Sequence, residues 1–324
     1  MLFNNDKAVS PVVATLVLVV VAIIGAAAVG VILGTFSSDV SDEASAGETS
    51  SATSTELIVA GSTTVQPLSV ELAEAYMADH KGVKITVQGG GSGAGVSSVG
   101  MGIVDIGAAS RDIKDTEKAD YPTLKEHLIG GSAVVVIANA GVTPFSASQD
   151  DLFVAYRDNT PTTVDATITK LYQRAEASGT EDTFVEWLED RNGVVAGADF
   201  TMNSAVEGAT GNQGVIDSVA STAGSLGFVD FGFANGNADV VILGIIDDAS
   251  GTTYANTVID GDAIEEELSN EDGASYVTSL TRPLYYITSG EPNTMQQAFI
   301  SFAQSPGAAD CFETVGYFPV TAFK

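Results

Sequence analysis

One cysteine, Cys311, and two histidines are all this 324-residue chain holds of the side chains that most often form disulfides or bind zinc. A lone thiol closes no internal disulfide, and no Cys/His cluster with metal-ligand spacing occurs. In "GAADCFETVGYF" Cys311 reads as a small buried apolar residue. Basic residues are also scarce: 13 Lys and Arg stand against 42 Asp and Glu, a formal net charge of −29. That field repels nucleic acid and anionic lipid surfaces, so no nucleic-acid partner is expected. A nucleophile–base pair is missing too. His80 in "MADHKG" and His127 in "LKEHLIGG" sit amid polar residues and read as surface side chains. The carboxylates lack any spacing that pairs them and read as a solvated acidic face, so no enzyme activity is expected.

What the chain does have begins with "VVATLVLVVVAIIGAAAVGVIL", residues 12–33, without a charge. That length spans a bilayer, and a transmembrane helix is expected over 12–36. Lys7 precedes it and Asp39, Asp42 and Glu43 follow, which places the bulk of the chain outside the cell, as a single-pass protein of the cell membrane. The string "NNDKAVSPVVATLVLVVVAIIGAA" resembles the N-terminus of archaeal type IV pilin-like precursors. The resemblance implies a short leader (1–11) cut near Ala8, and a retained helix that anchors the protein or self-associates as a filament core. Residues 37–56, rich in Ser, Thr, Ala and acids, read as a flexible solvated linker.

From "ELIVAG" onward, short β-branched runs alternate with amphipathic stretches, which argues for α/β layers. Leu68, Leu72, Ala75 and Tyr76 fall at helical spacing, as do Phe184, Trp187 and Leu188. "SAVVVIANA", "SLGFVDF" and "VVILGII" read as strands; "QGVIDSVAST" and "NTMQQAFISFAQS" read as helices.

Three segments share one design, in which a strand ends, small polar residues and glycine follow, and a helix begins: "AGSTTVQPL" (60–68), "QGGGSGAGV" (88–96) and "QRAEASGTEDTF" (173–184). Each leaves backbone N–H groups and hydroxyls at a helix start, where anions are favoured. With Arg174 four residues before Ser178, the three together point to an oxyanion site, because a guanidinium offers a planar fork of donors. Nucleotide readings fit poorly. No Lys follows the glycine run, as a P-loop needs, and no acid ends a second strand, as a dinucleotide turn needs. No cofactor is expected.

These segments, with "GMGIVDIGAASRDIKD" and "RPLYYITSGEP...AFISFAQSP...GYFPV", resemble the phosphate-binding proteins of Pst-type ABC transporters over roughly residues 57–324. The resemblance implies a type II periplasmic-binding-protein-like α/β domain, following the one transmembrane helix. One lobe would comprise 57–138 and 236–324 and the other 139–235, closing on inorganic phosphate for delivery to an ABC permease. Carried over, the phosphate ligands are Thr63, Thr64 and the Val65 N–H; Ser92 and Gly93; Ser110 and Arg111; and Arg174, Ser178, Gly179 and Thr180. Ser62 and Asp112 support them, and Glu176 stands where the family has an acid that orients the Arg. The chain departs from well-known members at Ala177, where a glycine is usual, and at Arg111, where some members place an Asp that accepts the proton of hydrogen phosphate. Sulfate or molybdate receptors and a pilin-like filament subunit with a borrowed ectodomain are the rival readings. The acidic surface does not veto an anion ligand, since at about 0.15 M salt fields decay over about 8 Å.

Overall fold

The computed structural model describes residues 55–190 and 200–323. The leader expected at 1–11, the apolar helix at 12–36 and the spacer, but for its last two residues, lie outside the described residues. Those two, Thr55 and Glu56, already belong to the first strand. Among the described residues no helix is long and apolar enough to cross a membrane.

The β-branched runs become strands and the apolar stripes become helix faces. β1 (Thr55–Gly61) leads into α1 (Val65–Asp79), which buries Val65, Leu68, Leu72 and Tyr76 along one side. Then come β2 (Val83–Gln88), α2 (Ser92–Gly100), β3 (Ile106–Ala109) and α3 (Asp115–Asp120). β4 (Leu124–Asn139) is 16 residues long, and "SAVVVIANA" forms only its second half. Next are β5 (Ser146–Ser148), α4 (Gln149–Asp158), β6 (Lys170–Arg174), α5 (Gly179–Glu189), β7 (Glu207–Ala209), α6 (Gly211–Ser221), β8 (Ser225–Asp230) and α7 (Phe231–Ala234). β9 (Val240–Ile242), β10 (Gly244–Asp247), β11 (Thr252–Tyr254), α8 (Gly261–Asn270), β12 (Thr281–Ser289), α9 (Thr294–Ala303), α10 (Ala309–Val315) and β13 (Phe318–Pro319) complete the order.

The main sheet runs β2-β1-β3-β12-β4-β8-β6-β7, with β9 and β13 also paired to β4; β11-β10-β5 form a second, small sheet. β1, β2 and β3 are parallel, as are β6, β7 and β8, while β12 lies antiparallel to both β3 and β4. β4 links the halves: residues 124–133 pair with β12, and 134–138 pair with β8. "VVILGII" is not one strand. It breaks at Leu243, where β9 leaves β4 and β10 enters the small sheet.

Two main hydrophobic clusters follow this division. Leu57, Leu72, Ile129, Leu284, Phe299 and Phe312 belong to one, together with the buried Cys311. Val135, Phe184, Trp187, Phe228, Tyr276 and Leu280 belong to the other. Residues 240–280 pack in this second cluster, against the expected grouping of 236–324 with the first lobe. β9 and the small sheet hold them there.

α2 begins at Ser92, inside the glycine run. Gly91, at φ 92°, turns the chain into it. Gly95 then sits on β1 so closely that a Cβ there would lie 2.7 Å from the Gly61 Cα. No side chain fits between them, which is why the glycine run packs as a helix start on a sheet.

Candidate functional site

The starts of α1, α2, α5 and α6 meet where the two halves face each other. Thr64, preceding α1, has its hydroxyl 3.1 Å from that of Thr180 in the first turn of α5. Ser92 opens α2, and its hydroxyl lies 3.3 Å from that of Ser110, which follows β3. A Cβ on Gly179 would come within 2.5 Å of Ser110 Oγ and 2.8 Å of Ser92 Oγ, so the glycine is what lets α5 approach. Four positive helix ends aimed at one place make an anion-favouring field without any ligand charge being built in.

The individual roles differ. Ser62 Oγ accepts the N–H groups of Thr64 (3.2 Å) and Val65 (3.3 Å), so it caps α1 from outside the helix. The Val65 N–H is thus partnered by protein. Ser178 is the N-cap of α5, accepting from Thr180 N–H at 3.1 Å. Gly93 sits in the first turn of α2, where a Cβ would be 3.9 Å from Arg111 Nη2. Ala177 has no positive φ, so the loop takes its course without the glycine usual at that position.

Arg174 ends β6, and its side chain is fully buried. Its Nη2 donates to Thr63 Oγ1 at 2.6 Å and to the Glu176 carboxylate; Nη1 reaches Asn212 Oδ1 at 3.4 Å. Glu176 is itself held by the Gly211 N–H at the start of α6 (3.1 Å). Burial lowers the Arg174 pKa, Glu176 pulls it back up, and the neighbouring Arg282 lowers it again. Its Nε is a buried donor without a partner among the described residues. An unsatisfied donor of this kind costs about 1–3 kcal/mol, which a bound anion would recover.

Arg111 and Asp112 are placed differently from the carried-over pattern. Arg111 Nε donates to Asp182 on α5 at 2.8 Å, Nη2 and Nη1 fork onto Glu117, and Nη1 also reaches its neighbour's carbonyl. Burial pulls the Arg111 pKa down, but Glu117 and Asp182 outweigh it and leave it raised. All three of its nitrogens are occupied by protein. Asp112 is exposed and turned toward Tyr285, and Asp105 accepts the Ile58 N–H at 2.8 Å on β1. Neither carboxylate joins the hydroxyl cluster.

Three site residues escaped the sequence reading. Arg282, at the start of β12 and opposite Ser132, is 3% exposed; its Nη2 donates to Asp230 Oδ2 at 2.6 Å and to Thr64 Oγ1 at 3.1 Å. Its Nη1 lies 3.3 Å from Ser110 Oγ and its Nε 3.2 Å from Ser132 Oγ. Asn212, on α6, donates to Thr64 Oγ1 at 3.0 Å. The signals were present. "GATGNQGVI" repeats the strand–glycine–helix design of the other loops, and Asp230 closes the otherwise apolar "SLGFVD".

The histidines lie elsewhere. His80 is exposed and stacks on Tyr76 with ring centroids 3.9 Å apart. His127, half-buried on β4, bonds Thr288 at 2.8 Å, and burial lowers its pKa.

Comparison with known proteins agrees with this architecture. A phosphate-binding protein PstS of Bacillus subtilis is 29% identical over 276 residues, covering 83% of this chain and 82% of that protein. A protein of Clostridium perfringens, assigned to phosphate ABC transport as a substrate-binding protein and solved with bound phosphate, superposes with a TM-score of 0.65 at 21% identity, over 82% of this chain and 99% of its own. An ABC-type phosphate transport receptor of Vibrio cholerae gives a TM-score of 0.59 at 20% identity, over 81% and 99%. These two structural likenesses concern the fold. The PBP superfamily domain model matches residues 46–306, and by that match the chain belongs to the PBP superfamily, the α/β periplasmic-binding-protein-like fold.

Proposed function

We propose that this protein captures inorganic phosphate between its two halves and hands it to an ABC permease. The observation that carries the reading is the buried, unpartnered Nε of Arg174, set among the Thr63, Thr64 and Thr180 hydroxyls at converging helix starts. Phosphate needs one fork of charge-assisted donors and several neutral ones, and this arrangement supplies both. Thr63, Thr64, Ser92, Arg174, Ser178, Gly179 and Thr180 are the proposed ligands, with Ser110 orienting Ser92 and Glu176 orienting Arg174. Arg111 is kept as a residue that joins the halves beside the anion. The names of the curated relatives support the same ligand and transporter class. The function is capture and release, with no bond made or broken.

Residues 12–33, uncharged throughout, support anchoring in the cell membrane with the binding domain outside. The pilin-like string at 4–27 favours a second reading, a filament subunit carrying these domains; electron microscopy showing only dispersed membrane protein would remove it. For the main reading, the full-length chain in detergent is titrated calorimetrically with phosphate, sulfate and molybdate. A saturable heat at micromolar phosphate supports it. Preference for sulfate or molybdate, or no heat from a folded protein, overturns it.

A further inference from the structure

The hydroxyls of the site are not free to choose whether they donate or accept. Thr64 Oγ1 has three polar neighbours: Arg282 Nη2 at 3.1 Å, Asn212 Nδ2 at 3.0 Å and Thr180 Oγ1 at 3.1 Å. A guanidinium only donates. The Asn212 amide is oriented by the Asp230 N–H, which gives to its Oδ1 at 3.1 Å, so its Nδ2 faces Thr64 and donates as well. Both lone pairs of Thr64 Oγ1 are therefore taken, and its single hydrogen must leave toward Thr180 or an anion seated there. Thr180, accepting in its turn, has Asn212 Oδ1 at 3.4 Å as an outlet.

A second chain obeys the same count. Ser62 Oγ accepts two backbone N–H groups and so donates to Ser110 Oγ at 3.0 Å. Ser110 Oγ also receives Arg282 Nη1 at 3.3 Å, which fills its second lone pair. Its hydrogen then goes to Ser92 Oγ at 3.3 Å, which already accepts the Ser110 N–H at 3.2 Å. Ser92 is left as an outgoing donor at the start of α2. One side chain, Arg282, is common to both chains.

We infer that Arg282 is a positioning residue that sets the direction of the hydroxyl network, turning Thr64 and, relayed through Ser110, Ser92 into obligate donors toward an oxyanion. Asp230 holds the guanidinium in place, with both partners buried. This deepens the proposed function and rests on it. A site of fixed donors suits an anion that accepts at its oxygens. Loss of Arg282 frees the hydroxyls to turn round and point lone pairs at it.

The test is a double-mutant cycle on the full-length protein, read by phosphate Kd and by melting temperature with and without phosphate. Arg282→Lys keeps one charge but loses the fork, and is expected to weaken phosphate binding at least tenfold. Thr64→Val removes one hydroxyl that Arg282 directs. In the combined variant the two losses are expected to fall short of their product, because both remove the same donor. Arg282→Met with Asp230→Asn removes the buried pair without stranding a charge. It is expected to keep the unliganded melting temperature within a few degrees while phosphate no longer raises it. Fully multiplicative losses in the cycle, or Arg282→Lys binding within threefold of wild type, would overturn the role of Arg282. A wild-type protein that gives no phosphate heat would instead overturn the reading beneath it.

Discussion

Arg111 Nε lies 2.8 Å from Asp182 Oδ2, tying the segment after β3 in one half to the first turns of α5 in the other. Lys114 reaches the other oxygen of the same carboxylate, also at 2.8 Å. Asp182 is thus clasped by two cations beside the hydroxyl cluster. Opening the halves must break both contacts.

Asp182→Asn is therefore expected to raise the phosphate off-rate and weaken affinity about threefold to tenfold, since partly exposed pairs contribute roughly 1 kcal/mol. Stopped-flow release at low and high salt checks this. The wild-type rate should rise with salt and the variant's should barely change.

Arg174→Ala removes at least two charge-assisted donors, each worth about 1.5–3 kcal/mol. Phosphate affinity should fall at least about a hundredfold, with far-ultraviolet circular dichroism unchanged. Calorimetric titration gives the ratio directly, and a loss under fivefold would remove Arg174 from the site.

Gly179→Ala tests the close approach of α5. Its methyl would press on Ser110 Oγ and Ser92 Oγ, both nearer than any Cβ contact tolerates. Phosphate binding should be abolished while stability drops by about 1–3 kcal/mol, the usual cost of overpacking. Urea denaturation followed through Trp187, fully buried and the single tryptophan of the chain, measures the second quantity.

Glu181 gives a pH signature. Burial raises its carboxyl from 4.5 to about 7, although it accepts the Arg174 N–H at 3.0 Å. Between those values the folded chain holds a proton that the unfolded chain has released. Stability from this group is therefore full below pH 4.5, falls as pH rises toward 7, and is flat above. The total is on the order of 1–3 kcal/mol. Glu181→Gln should flatten that decline in urea titrations at pH 5, 6 and 7, because the amide oxygen still accepts the N–H and carries no charge.

The loops around Thr64, Ser92 and Ser178 were readable because each is contiguous. Glycine, hydroxyl and helix start stand within a few residues, and the local rule for helix ends applies to the string itself. Arg282 and Asp230 are 52 residues apart, and their meeting depends on β12 and β8 flanking opposite sides of β4. No periodicity carries that information. Arg111 was visible but its direction was not, since Glu117 and Asp182 look like any other acids in so acidic a chain. The first half of β4, "LKEHLIGG", hid for a similar reason: its charged residues and glycines resemble a loop until β12 supplies the partner that makes it a strand.

β12 is inserted between β3 and β4, although about 140 residues of chain separate it from β4. During synthesis the first half would have α1, α2, α3 and strands β1 to β4 long before residues 281–289 leave the ribosome, and its α9 and α10 follow later still. Until then β3 and β4 expose unpaired edges, the kind of surface that chaperones shield. Arg282 rides on that late strand. The nascent chain therefore acquires its fold and its ability to hold an anion in the same closing event, and any truncation before residue 281 should yield a protein that aggregates rather than one that merely fails to bind.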